Sequence, residues 1–119
     1  MPEPLDEAQR QVLEQDLLRL RETLVHELHR LAQRATTVEL DQAAMGRVSR
    51  GDALQQQAMA QAEQRRLDVR ALQVKRAILR LKDDTYGECV RCGDDIGFPR
   101  LKARPEAPFC LSCADEVGA

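Results

Sequence analysis

Four cysteines carry the clearest chemistry in this chain. They stand as Cys89-Val-Arg-Cys92-Gly93 and Cys110-Leu-Ser-Cys113, with 17 residues between the pairs. Two residues between thiolates let one tight turn present both sulfurs to one ion. Gly93 lets the backbone fold back beneath that ion. Two such turns supply the four thiolates of a tetrahedral zinc site and leave no position open. An ion with no open position cannot activate water, so its work is to hold the fold. The expectation is one structural zinc ion on Cys89, Cys92, Cys110 and Cys113. Disulfides fit less well, and so does a redox pair of thioredoxin type, because no βαβ pattern surrounds the cysteines.

The compartment supports that choice. Met1-Pro2-Glu3-Pro4-Leu5-Asp6-Glu7 is acidic and lacks a basic stretch followed by an apolar one. The expectation is a cytoplasmic protein without a signal peptide, where cysteines serve metals more often than disulfides. No apolar run approaches the roughly 20 residues of a membrane span.

The elements that must position the cysteines are helical. The chain has 119 residues, no Trp, one Tyr and two Phe, so its core is aliphatic. Charged residues make up 32%, nearly balanced at a formal net charge of -2. Leu13, Leu17, Leu20 and Leu24 step by 4, 3 and 4, and Leu24, Leu28, Leu31 and Ala35 repeat the rhythm. That is the seam of an amphipathic helix from about Pro4 to Arg34, with Asp6 and Glu7 in its first turn. Residues 36–51 break the rhythm with Gly46, Ser49 and Gly51, and Thr36–Glu39 and Ser49–Asp52 fit capping boxes. A second helix is expected over Asp52–Asp83, with the seam Leu67, Ala71, Val74, Ile78 and Leu81. Gly87 is expected to cap its end. The fold class is therefore mainly α, a long antiparallel helical hairpin followed by a small C4 zinc finger. The hairpin takes residues 1–85 with its tip at about 36–51, and the finger takes 86–119.

Within the finger, Ile96, Phe98, Leu101 and Phe109 are the expected small core. Arg100, Lys102 and Arg104 are expected to form a basic face. The segment from Tyr86 nevertheless holds four bases against six acids. A finger that binds DNA is normally positive, so sequence-specific DNA binding is not expected. His26 and His29 lie in a helix with no nucleophile or acid arranged for catalysis, and an enzyme is not expected.

The stretch Tyr86-Gly87-x-Cys89-x-x-Cys92-Gly93-x-x-Ile96-Gly97-x-x-Arg100-Leu101-x-Ala103-Arg104-Pro105-x-Ala107-x-x-Cys110-x-x-Cys113 resembles the C-terminal zinc finger of the DksA/TraR family. The preceding hairpin agrees with that family's architecture. The resemblance implies a bacterial regulator that binds RNA polymerase directly. The coiled coil would enter the secondary channel and bring its tip near the active site. Transcription initiation would change as a result, often together with the alarmone ppGpp in the stringent response. Well-known members carry Asp-x-x-Asp at the tip, whereas this chain has Gly46 and Ser49 at the corresponding places. The residues left for a tip contact are Asp41, Arg47, Ser49 and Arg50. For the alarmone, Arg65, Arg66, Arg70, Lys75 and Arg76 offer positive charge on the second helix, while Gln73 and Ala114 stand where the family has bases. The protein is expected to act as a monomer. The alternative is a zinc-stapled adaptor whose hairpin pairs with a helix of another protein and never meets polymerase.

Overall fold

The computed structural model describes residues 2–45 and 50–118, and side chains outside 35–53. Four helices follow one another: α1 (Glu7–Met45), α2 (Arg50–Lys82), α3 (Phe98–Ala103) and α4 (Leu111–Val117). The chain is mainly helical, a long antiparallel helical hairpin followed by a small C4 zinc finger. No helix among the described residues is long and apolar enough to cross a membrane.

α1 begins with a reciprocal cap. The Asp6 side chain accepts from Gln9 N–H at 2.7 Å, and Gln9 Oε1 accepts from Asp6 N–H at 3.1 Å. Asp6 is therefore the residue before the helix rather than part of its first turn. The helix also runs further than the seam suggests, to Met45 instead of Arg34. No Gly or Pro stands between Arg34 and Gly46, and Glu39-Leu-Asp-Gln-Ala-Ala is made mostly of good helix formers. Thr36–Glu39 thus lies within α1 rather than at a helix start. α2 starts at Arg50, and the interruption expected over 36–51 shrinks accordingly.

α2 ends through Asp84 rather than Gly87. Asp84 adopts a left-handed conformation with φ 64°, which aspartate tolerates better than most residues. Thr85 N–H then reaches back to Arg80 O at 2.9 Å.

The chain forms two compact units, Met1–Arg21 with Leu72–Ala119, and Glu22–Ala71. In the first unit, Leu13 and Leu17 of α1 and Val74 and Ala77 of α2 are buried. Arg10 bonds Asp84 at the end of α2. In the second unit, Leu24 and Leu31 are buried, and Arg34 pairs with Glu63 at 3.6 Å. These seam leucines match the expected 4-3 rhythm. Ala77 was not in that rhythm; its small side chain sits one residue before Ile78, which is only half-buried.

Candidate metal centre

Each cysteine pair sits on a turn closed by one backbone hydrogen bond. Gly93 N–H donates to Cys89 O at 2.9 Å, and Ala114 N–H donates to Cys110 O at 2.9 Å. The first turn leaves through Gly93 at φ 81°, a conformation that suits glycine. The second continues straight into α4, with Cys110 as the residue preceding the helix. The first turn is the tip of a short ribbon. Cys89 N–H donates to Asp94 O at 2.7 Å and Ile96 N–H to Gly87 O at 2.8 Å, flanking an antiparallel bridge between Glu88 and Asp95. Val90 N–H donates to Pro108 O at 2.9 Å, which ties the second cysteine loop beside the first.

This scaffold gathers all four sulfurs. The Sγ atoms of Cys89, Cys92, Cys110 and Cys113 lie within 4.8 Å of one another. Cys92 and Cys110 are 3.7 Å apart. Sulfurs at the corners of a tetrahedron about 2.3 Å from a zinc ion are separated by about 3.8 Å, so the set fits zinc. The donor chemistry fits as well. Burial pushes the Cys89 thiol up, but the backbone N–H groups of Cys92, Cys110 and Arg91 outweigh it and hold the thiol at about 6. Cys113 is pushed up to about 12, first by burial and then by its contacts with the sulfurs of Cys110, Cys92 and Cys89. Four thiols this close cannot all ionise unaided. A divalent cation among them removes that conflict and binds all four as thiolates. Cys89 and Cys113 are buried, whereas Cys92 is exposed.

The residues around the site bind it to the helices of the same unit. The Tyr86 hydroxyl donates to Pro105 O at 2.9 Å. Burial raises the Tyr86 pKa above its ordinary value; Arg80 opposes the shift, while Glu106 and Asp16 reinforce it. Glu106 is 0% exposed and accepts from Arg104 Nε at 3.3 Å. Lys102 Nζ donates to Asp16 Oδ2 at 2.8 Å, and Arg100 Nε to Phe109 O at 3.0 Å. The three bases expected to form a basic face thus each have an acceptor within the unit, and Lys102 and Arg104 stay exposed. Of the expected finger core, Ile96 and Leu101 are buried and Phe98 and Phe109 only half-buried. The sequence reading did not count Tyr86, Ala107 and Ala114 in the finger's core, although all three are buried, nor did it expect the buried carboxylate of Glu106. Tyr86 was findable, as the chain's one tyrosine at the start of the finger.

A model of the prokaryotic dksA/traR C4-type zinc finger matches residues 84–117. These residues, though not the whole chain, are thus similar to the DksA/TraR C4-type zinc finger. The RNA polymerase-binding transcription factor DksA of Escherichia coli K12 is 38% identical over 40 residues, 34% of this chain and 26% of the relative. An uncharacterized protein of Aquifex aeolicus is 46% identical over 41 residues, 34% of this chain and 28% of that protein. The match thus spans about a quarter of the length of these relatives. Similarity over the whole architecture comes from a solved structure. Transcription factor DksA2 from Pseudomonas aeruginosa aligns with a TM-score of 0.75 at 25% identity, covering 95% of this chain and 85% of that one. A DksA/TraR zinc finger and four convergent sulfurs make this a zinc site.

The sequence-expected tip residues fall where side chains lie outside the described set. Asp41 lies on α1 and Arg50 is the first residue of α2, with their side chains outside the described set. Arg47 and Ser49 lie outside the described residues altogether. His26 and His29 are exposed on α1, and His29 contacts Gln33.

Proposed function

We propose that this protein is a regulator of transcription initiation that binds bacterial RNA polymerase through the secondary channel. The observation that carries this reading is the likeness to transcription factor DksA2, which covers 95% of the chain and so includes both long helices as well as the finger. The finger match by itself would suit many proteins with a zinc staple. One zinc ion, held by Cys89, Cys92, Cys110 and Cys113, is structural, because four thiolates leave no place for a substrate or a reactive water. The chemistry of regulation belongs to the hairpin tip, where Asp41, Arg47, Ser49 and Arg50 meet the partner. Direct sequence-specific DNA binding is not part of this reading, in keeping with a finger that holds four bases against six acids. The protein acts as a monomer in the cytoplasm, and ppGpp modulates its complex with polymerase.

Purified zinc-loaded protein titrated into bacterial core polymerase tests the reading. Binding at micromolar concentration or tighter is expected, and a lack of binding there overturns it. Alanine at Asp41, Arg47 and Arg50 is expected to leave binding intact and remove the effect on transcription from a responsive promoter. Adding ppGpp to the same assay tests the alarmone separately.

A further inference from the structure

Two glycines of the zinc ribbon are covered by the segment that precedes α1. A Cβ placed on Gly87 would come within 2.9 Å of Leu5 Cδ1, and one placed on Gly97 within 2.9 Å of Pro2 Cβ. Both glycines have positive φ, 95° and 98°. Pro2 and Leu5 therefore rest directly on backbone where any other residue would project a side chain.

The location of these contacts matters. Gly87 and Gly97 flank the ribbon at the end opposite the Cys89–Cys92 turn. Gly87 O accepts the Ile96 N–H at 2.8 Å, and this bond closes that end. Cys89 is 3% exposed and its own N–H is tied to Asp94 O at 2.7 Å. Parting the ribbon opens both hydrogen bonds and frees the backbone that carries Cys89 and Cys92 as a pair. Parting it displaces whatever lies across Gly87 and Gly97.

We infer that Pro2–Leu5 is a strap that gates exchange of the zinc ion. While the strap lies on the ribbon, the ion leaves slowly. When the strap is lifted, Cys89 and Cys92 can open as a pair. The capping exchange between Asp6 and Gln9 fixes the strap's root at the start of α1, so the gate does not depend on the helix changing its own structure.

The experiment measures zinc transfer from the 119-residue chain to a chromophoric chelator, with amide hydrogen exchange read at Cys89 and Ile96. The variant is Pro2→Ser with Leu5→Ser, which leaves both glycines and the Asp6 cap in place. Loss of a half-buried leucine contact corresponds to about a fivefold faster release. Exchange at Cys89 and Ile96 is expected to rise by a similar factor, with helical content unchanged. Glu3→Ser, in the exposed middle of the strap, is expected to behave as the parent. Should the double variant fail to retain zinc during purification, Leu5→Val supplies the graded case, with a release rate between parent and double variant. Release within twofold of the parent in the double variant overturns the inference. Faster release with no change at Cys89 and Ile96 overturns it too, because the ion would then leave without the ribbon parting. None of these readouts involves polymerase, so the outcome is independent of the proposed regulatory role.

Discussion

Lys102 of α3 places its ammonium 2.8 Å from Asp16 Oδ2 of α1, across 86 positions of sequence. Asp16 is 16% exposed in its side chain and Lys102 50%. Arg19 shares the same carboxylate through Oδ1 at 2.9 Å. The finger is thereby tied to the helix that begins the chain, inside one compact unit. A half-exposed pair contributes modestly, since water and salt screen it. Lys102→Met is expected to destabilise the zinc-loaded protein by about 0.5 kcal/mol, and a double-mutant cycle with Asp16→Asn should return a coupling of that size. Urea unfolding of the four proteins measures it. A coupling of zero in low salt would mean the pair is ornamental.

Tyr86 makes a stronger case. Its hydroxyl donates to Pro105 O, a carbonyl next to the buried Glu106. Tyr86→Phe is expected to cost about 1 kcal/mol, the net worth of a buried hydrogen bond. The pH dependence has a definite sign. Burial raises the folded-state pKa above the ordinary value near 10, so the folded protein holds this proton more tightly than the unfolded chain. That stability is fully present below about pH 10 and declines as pH rises toward the folded value. The parent's advantage over Tyr86→Phe should therefore shrink in denaturation experiments run at increasing pH above about 10. An advantage that stays constant through that range would contradict the assignment.

Zinc removal should be both stoichiometric and coupled to protons. One ion per chain is expected by elemental analysis, and Cys89→Ser or Cys113→Ser should abolish its retention. Binding converts thiols to thiolates. Cys113, pushed up to about 12, and Cys92, also raised, are protonated at neutral pH in the absence of a cation. Protons are thus released as zinc enters, and affinity rises with pH across the neutral range. Calorimetric titrations in buffers of differing ionisation enthalpy report the number released, expected to be more than one. A value of zero would rule out thiolate ligation by these residues.

Local pattern made some of this molecule legible and not the rest. The cysteine spacing announced the zinc site because a C-x-x-C turn is a local object, closed here by Gly93 N–H to Cys89 O and Ala114 N–H to Cys110 O. Leu13, Leu17, Leu24 and Leu31 announced the hairpin because helical periodicity is also local. The boundaries were less readable. Asp84 ends α2 in a left-handed conformation that glycine was expected to supply, and Gly87, with φ 95°, is required where Leu5 packs. Long-range partners were invisible. Arg100, Lys102 and Arg104 read as a basic surface because nothing in their neighbourhood reveals Asp16, or that Phe109 O and Glu106 would turn toward them. Glu106 shows the same limit: a carboxylate in a Pro-rich loop looks exposed until the fold buries it completely.

The glycines of the finger provide a test that separates backbone strain from packing. Gly93 and Gly97 both have positive φ, 81° and 98°. A side chain on either is strained in that conformation, at a cost of order 1 kcal/mol. Their surroundings differ. A Cβ on Gly93 would meet nothing within 4 Å, while one on Gly97 would come within 2.9 Å of Pro2 Cβ. Gly93→Ala is therefore expected to show the strain alone. Gly97→Ala adds a steric conflict that must move Pro2 and the strap, bringing the total to about 2 kcal/mol. Replacing Pro2 with Gly removes the atom that is struck, so Gly97→Ala in that background should fall back toward the Gly93→Ala value. Thermal unfolding of the zinc-loaded variants makes the comparison. Equal losses at the two glycines, or no relief from Pro2→Gly, would show that Pro2 does not rest on Gly97 in solution.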